Sequence, residues 1–138
     1  MGPYTLSTMI VYACKDLIFA TKIGSTAEVL GVPARPVRNR SMLQARLDRI
    51  DDGKVCEAVT GLMVDLELGE IGLELIGCAV EWRAEAGAVE NSTVPRVIAF
   101  GPHVMTQTLD DAERRGADVV MTRGAFTRQL PELIRAAG

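Results

Sequence analysis

Leu62-Met63-Val64-Asp65-Leu66 is an apolar run interrupted by a single carboxylate. Leu62, Met63 and Val64 follow one another without a polar residue, so the segment lacks the alternation of a strand with one wet face. Continuous apolar runs suit strands covered on both sides, as in parallel sheets. Three similar runs lie elsewhere in the chain: Ile10-Val11-Tyr12-Ala13, Val97-Ile98-Ala99-Phe100 and Val119-Val120-Met121.

Helical patterns separate these runs. Leu17, Ala20, Gly24, Ala27 and Gly31 form one stripe at helical spacing, flanked by Ile23 and Leu30. Ser41 with Gln44 three residues later predicts a capping box opening a second helix, with Met42, Leu43, Leu47 and Ile50 on its apolar side. Leu73, Ile76, Gly77 and Val80 mark a third helix. Gly101-Pro102 predicts the start of a fourth, since proline at the first helical position loses no needed N–H, and Gly116 is suited to end it. A short last helix is expected near Pro131 to Ala137. The remaining strand must be Pro33-Ala34-Arg35-Pro36-Val37, whose prolines confine it to an edge. Strand and helix then alternate five times. The expected fold class is α/β, a three-layer, doubly wound, five-stranded parallel sheet. Segments 51–57 and 86–94 read as surface loops, and residues 1–138 as a single domain with a disordered or extended tail at 1–7.

Composition narrows the function. With 138 residues and a net charge of −3, the chain can bury one core and has little overall attraction for nucleic acid or anionic membrane. No apolar run reaches the roughly 18 residues of a membrane span, and Met1 to Ser7 lack the basic start of a signal peptide. Cys14, Cys56 and Cys78 are too few and too scattered for a disulfide framework or a zinc site, which favours reduced thiols and a cytoplasmic location. No dinucleotide fingerprint or phosphate-binding loop occurs. Arg35, Arg38, Arg40, Arg46, Arg49 and Lys54 make a basic stretch, offset by Asp48, Asp51 and Asp52 and without interleaved aromatics to stack bases. It reads as a solvated face or a docking patch for an acidic protein.

In an open parallel sheet, sites form at the carboxyl ends of the strands. Those ends carry Ala13, Cys14 and Lys15, then Asp65, Gly101, and Thr122 with Arg123. A carboxylate such as Asp65 in this crevice can serve as nucleophile, metal ligand or half of an ion pair.

Here the sequence resembles the receiver domain of bacterial response regulators, over roughly residues 8–137. Leu62-Met63-Val64-Asp65-Leu66 is similar to the family strand that ends in the phosphoacceptor aspartate. Gly116-Ala117-Asp118-Val119-Val120-Met121-Thr122-Arg123 is similar to its last strand, which ends in lysine and then proline. Val97-Ile98-Ala99-Phe100-Gly101 is similar to its fourth strand, which ends in serine or threonine. The resemblance implies a flavodoxin-like, receiver-like sheet of order 2-1-3-4-5. It also exposes departures. The two magnesium-holding acids of the first strand correspond to Ala13 and Cys14, followed by Lys15. The hydroxyl position is Gly101, the lysine is Arg123, the proline is Gly124 and the switch aromatic is Val120. Of the family's chemical set only Asp65 is unchanged.

Magnesium binds through carboxylates, and phosphoryl transfer to a carboxylate relies on charge stabilisation by metal and cation. Weak or absent magnesium binding is therefore expected, with no other cofactor and no catalytic residue, and a degenerate pocket made of Asp65, Arg123, Gly101, Cys14, Lys15 and Glu67. Arg123, joined by Lys15, is expected to pair with Asp65 permanently. Glu67 either supplies a missing carboxylate or sits with Glu70 and Glu74 near a helix start. Asp16 would enter the pocket if the first strand slipped by two residues. Cys14 is either a buried thiol or a redox thiol activated by Lys15. His103 is placed at a helix start, as an exposed residue or an anion ligand. Trp82 either packs under a loop or anchors a partner.

The function expected from this set is a stand-alone pseudo-receiver that binds a protein partner in a signalling pathway, or a second copy of itself, and neither nucleic acid nor membrane. By resemblance the partner face includes Met105, Leu109, Arg114 and Phe126. Two alternatives stand beside it. One is a phosphorelay receiver weakly phosphorylated on Asp65. The other is a protein or enzyme that takes a small anion in the strand-end crevice through Arg123, Lys15 and His103.

Overall fold

A computed structural model describes residues 8–51, 54–55, 57–86 and 94–138. The five strands of the main sheet are β1 (Thr8–Ala13), β2 (Ala34–Pro36), β3 (Ala58–Asp65), β4 (Arg96–Gly101) and β5 (Val119–Thr122). They run parallel in the order 2-1-3-4-5, as the resemblance implies. The helices are α1 (Leu17–Val29), α2 (Arg40–Leu47), α3 (Glu70–Ala86), α4 (Thr106–Arg114) and α5 (Arg123–Ala137). The expected tail at 1–7, Cys56 and residues 87–93 of the expected second loop lie outside the described residues. The other expected loop contains a small antiparallel ribbon, Ile50–Asp51 against Lys54–Val55. Among the described residues no helix is long and apolar enough to cross a membrane.

Successive strand residues point to opposite faces, so the continuous apolar runs fill two cores. Met9, Val11, Ala13, Leu62, Val64, Val97 and Ala99 face α2, α3 and α4. Ile10, Tyr12, Met63, Ile98 and Phe100 face α1 and α5. The proline-bearing β2 pairs only with β1, at the edge, where the missing N–H groups cost no ladder bond.

Several local expectations fail, each because tertiary packing or a competing cap overrides the pattern. The N-cap of α2 is Asn39, whose side chain accepts from Met42 N at 2.9 Å, so Ser41 lies inside the helix. Gln44 is then free to reach Asp48, and no capping box forms. In α1 the buried residues are Ile23 and Ala27, while Leu17 is 80% exposed and Gly31 falls beyond the helix. The buried face of α3 is broader than its stripe and includes Gly72, Leu75, Cys78 and Ala79. The α4 helix starts at Thr106, because β4 stays paired through Gly101 with Thr122 and the chain must turn over residues 102–105 before it can coil. Pro102 accepts from Met105 N in that turn, and His103 is exposed in it, short of the helix. Gly116, with φ +106°, follows the end of α4 as expected.

The largest difference is α5. It begins at Arg123 and runs through Pro131 without stopping. An interior proline removes one helical hydrogen bond, but Phe126, Leu130, Leu133, Ile134 and Ala137 are all buried, and their packing outweighs it. Trp82 settles against α2, where its Nε1 donates to Asp48 Oδ1 at 3.0 Å. Arg40, from the basic stretch, pairs with Glu81 of α3.

Candidate functional site

Strand ends converge at one edge of the sheet. Ala13 of β1 pairs with Val64 of β3, and Asp65 pairs with Phe100 of β4. This register brings Lys15 N to Asp65 Oδ2 at 3.1 Å. On the other oxygen, Asp65 Oδ1 accepts from Glu67 N at 3.0 Å and caps the short 3-10 turn Leu66–Leu68. Asp65 is completely buried, the only charged residue in the core among those described. Burial pushes its carboxyl above the ordinary value, opposed by the Lys15 N–H and by the Arg123 charge.

Arg123 is the first residue of α5, whose N-cap is Thr122 accepting from Ala125 N. A cation there faces the positive end of the helix dipole and needs compensation. Glu67 supplies it, its Oε2 in direct contact with Arg123 Nη2. The same nitrogen lies 3.8 Å from Asp65 Oδ2. The guanidinium thus bridges the two carboxylates and leans toward Glu67. Lys15 contributes its backbone N–H to Asp65, while its side chain is exposed.

Beneath the guanidinium lies a feature the sequence reading missed. All three phenylalanines of the chain stack together. Phe100 and Phe126 have centroids 3.8 Å apart, and Phe19 packs on both at 5.3 and 6.0 Å. Arg123 Cζ lies 4.9 Å over the Phe19 ring, a cation–π contact that fixes the plane of the fork. Its Nε is buried with no hydrogen-bond partner among the described residues. The only signal in the sequence was that phenylalanine occurs three times, each time in a segment that reaches this edge.

The other singled-out residues take different places. Gly101 is buried, and a Cβ there would stand 3.2 Å from Leu66 Cβ, so leucine side chains occupy the space beside it. Asp16 does not enter the pocket, because its carboxylate caps α1, accepting from Phe19 N at 2.7 Å. Cys14 is half-buried, and its thiol is pushed up to about 12 by burial first and then by the charges of Asp65 and Asp16. A thiol raised in this way holds little thiolate, which favours the buried-thiol reading over the redox one. Val120 is half-buried against the α3–α4 side of the sheet. His103 and Arg123 line one cavity with Pro102, Thr122 and Gly124, while Lys15 and Cys14 line another beside α1, so the three expected anion ligands are not brought together. Phe126 is fully buried and cannot belong to an exposed partner face.

The raised carboxyl fixes the sign of a pH effect. A folded-state pKa above the unfolded one gives stability that is complete below the unfolded value and is lost as pH rises through the folded value. We expect the difference in unfolding free energy between Asp65→Asn and the parent to move in favour of the asparagine variant as pH rises from the ordinary 3.8 toward neutrality. Urea unfolding of both proteins across that range measures it, and the opposite slope would show that Asp65 is stabilised as an anion.

No protein-family model matches the chain, and no curated protein is similar to it. Solved structures do match. A response regulator from Thermotoga maritima is 17% identical with a TM-score of 0.66, covering 96% of this chain and 98% of its own. A response regulator from Burkholderia pseudomallei, solved with a phosphorylated aspartic acid, a calcium ion and citrate, is 21% identical with a TM-score of 0.64, covering 94% of this chain and 65% of its own. NtrX from Brucella abortus in complex with ADP is 16% identical with a TM-score of 0.66 over 96% of this chain, which spans only 26% of the NtrX chain. The fold is that of receiver domains.

Proposed function

We propose that this chain is a receiver-like signalling module whose strand-end pocket is held by an internal ion pair, and whose output is contact with a protein partner. The observation that carries this reading is the Arg123 guanidinium lying between Glu67 and Asp65. A carboxylate from the chain, Glu67, stands beside Arg123, where by resemblance a receiver would bring a phosphoryl group. The residues present do not fit a magnesium ion. Ala13 and Cys14 offer no carboxylate, Asp16 is committed to its helix cap, and Glu67 is engaged by Arg123. A cation 3.8 Å from Asp65 further opposes a second one. Gly101 has no hydroxyl to hold a phosphoryl oxygen.

The partner face belongs to α4, β5 and α5. Arg114 is exposed there, Met105 and Leu109 are half-buried, and Val104 beside them is 73% exposed. This is a surface of apolar residues among charges of both signs, Asp110 and Glu113 beside Arg114, suited to a protein, whether another signalling component or a second copy of the chain.

Intact-mass measurement after incubation with acetyl phosphate and magnesium tests the pocket. The expected result is no phosphoryl adduct on the parent. A near-stoichiometric adduct that disappears in Asp65→Asn would overturn the reading in favour of a phosphorelay receiver.

A further inference from the structure

A second concavity lies on the opposite side of β1 from the partner face, between α1 and the end of β2. It measures about 600 Å³, within the roughly 300–1,000 Å³ of small-molecule pockets. Its wall is apolar, built by Tyr12, Ala20, Gly24 and Val37, and Lys15 and Arg38 stand at its rim.

Three observations indicate a ligand. The first is Tyr12. Its ring is buried, while its hydroxyl, which makes no hydrogen bond to a described residue, is open to the groove. The second is Gly24, in mid-helix where glycine costs about 1 kcal/mol relative to alanine. A Cβ there would stand 3.3 Å from the Tyr12 hydroxyl, so glycine keeps the wall open at that oxygen. The third is charge. Lys15 and Arg38 make no ion pair with a described residue. The one lining carboxylate, Asp16, is turned to the Phe19 N–H, and the Ser25 hydroxyl donates to Thr21 O. With Lys15 and Arg38 set against Asp16, the rim keeps a positive excess.

We infer that this groove binds a small aromatic anion, its flat ring against Tyr12, Ala20 and Val37 and its negative group at Lys15 and Arg38. The Tyr12 hydroxyl hydrogen-bonds a polar atom on the ring. The groove adjoins the Asp65 pocket through Cys14 and Lys15, whose backbone N–H meets Asp65, but opens on the α1 side.

Calorimetric titration of the full chain tests it with AMP, GMP and indole-3-acetate. Adenosine serves as a ring without charge and inorganic phosphate as charge without a ring. At least one of the three ring-bearing anions is expected to bind, and to bind better than adenosine or phosphate. The exposed-site variant Lys15→Glu/Arg38→Glu should weaken that binding by at least about tenfold. Gly24→Leu, which fills the groove, should abolish it, with melting curves confirming that each variant is folded. If none of the three anions binds at millimolar concentration, or if the double rim variant binds as the parent does, the inference is overturned.

Discussion

Phe100→Ala is expected to lower the free energy of unfolding by about 3–5 kcal/mol, the usual cost of emptying a fully buried aromatic site. Phe100 has no exposure and lies at the centre of the aromatic column, face to face with Phe126 at 3.8 Å and against Phe19 at 5.3 Å. It also sits on β4 opposite Asp65, so the cavity would open directly under the site. Packing around it is tight on the α1–α5 side, where two helices cannot collapse into the gap without leaving the sheet. Urea unfolding followed by circular dichroism measures the loss. If Phe100→Ala does not fold, Phe100→Leu separates the contributions. Leucine keeps most of the volume and forfeits only the ring contacts, at about 0.5–1.5 kcal/mol each. A loss below about 1 kcal/mol for the alanine variant would mean that the column contributes little beyond filling space.

Arg123→Ala is expected to cost about 1–3 kcal/mol at neutral pH, less than for a fully buried pair, because both charged groups keep some contact with water. The side chains of Arg123 and Glu67 are 32% and 29% exposed. Removing the guanidinium leaves Asp65 buried opposite Glu67 with no cation within 4 Å among the described residues. It also strips the cation from the Phe19 face. The pH dependence follows from Asp65. Arg123 is one of the influences that holds its carboxyl down against burial, so without it the folded-state pKa rises further. The deficit of the variant is then present at neutral pH and shrinks as pH falls through that pKa, when the carboxyl becomes neutral in the folded protein. Arg123→Lys should fall between the two, since it keeps the charge but not the planar fork that rests on Phe19. Chemical denaturation at two pH values resolves the effect. A deficit independent of pH would assign Arg123 a packing role only.

Both predictions concern residues whose importance came from different sources. Arg123 and Asp65 were legible from the sequence, because each ends an apolar strand and chain ends of a parallel sheet converge. Their separation was not legible, nor was the part played by Glu67. Two residues after Asp65, Glu67 could have faced solvent beside Glu70. The 3-10 turn capped by Asp65 instead rotates it toward α5. Lys15 was expected to join the pair at Asp65 through its charge, but the register of β1 on β3 brings only its backbone N–H there, and its side chain is exposed beside α1.

By itself, the sequence determined the sheet. Four unbroken apolar runs and one run broken by prolines specify parallel strands, their coverage on both faces and the edge position of β2, because these follow from local solvation and from a missing N–H. Tertiary structure decided the helix bounds and the site. Whether α5 passes through Pro131, whether Ser41 or Asn39 caps α2, and whether Phe19, Phe100 and Phe126 meet depend on contacts between segments far apart in the chain. The Asp65 strand that opened the reading ends in a bridge of charges, and its partners are selected by a turn, a helix N-terminus and an aromatic face that no local pattern encodes.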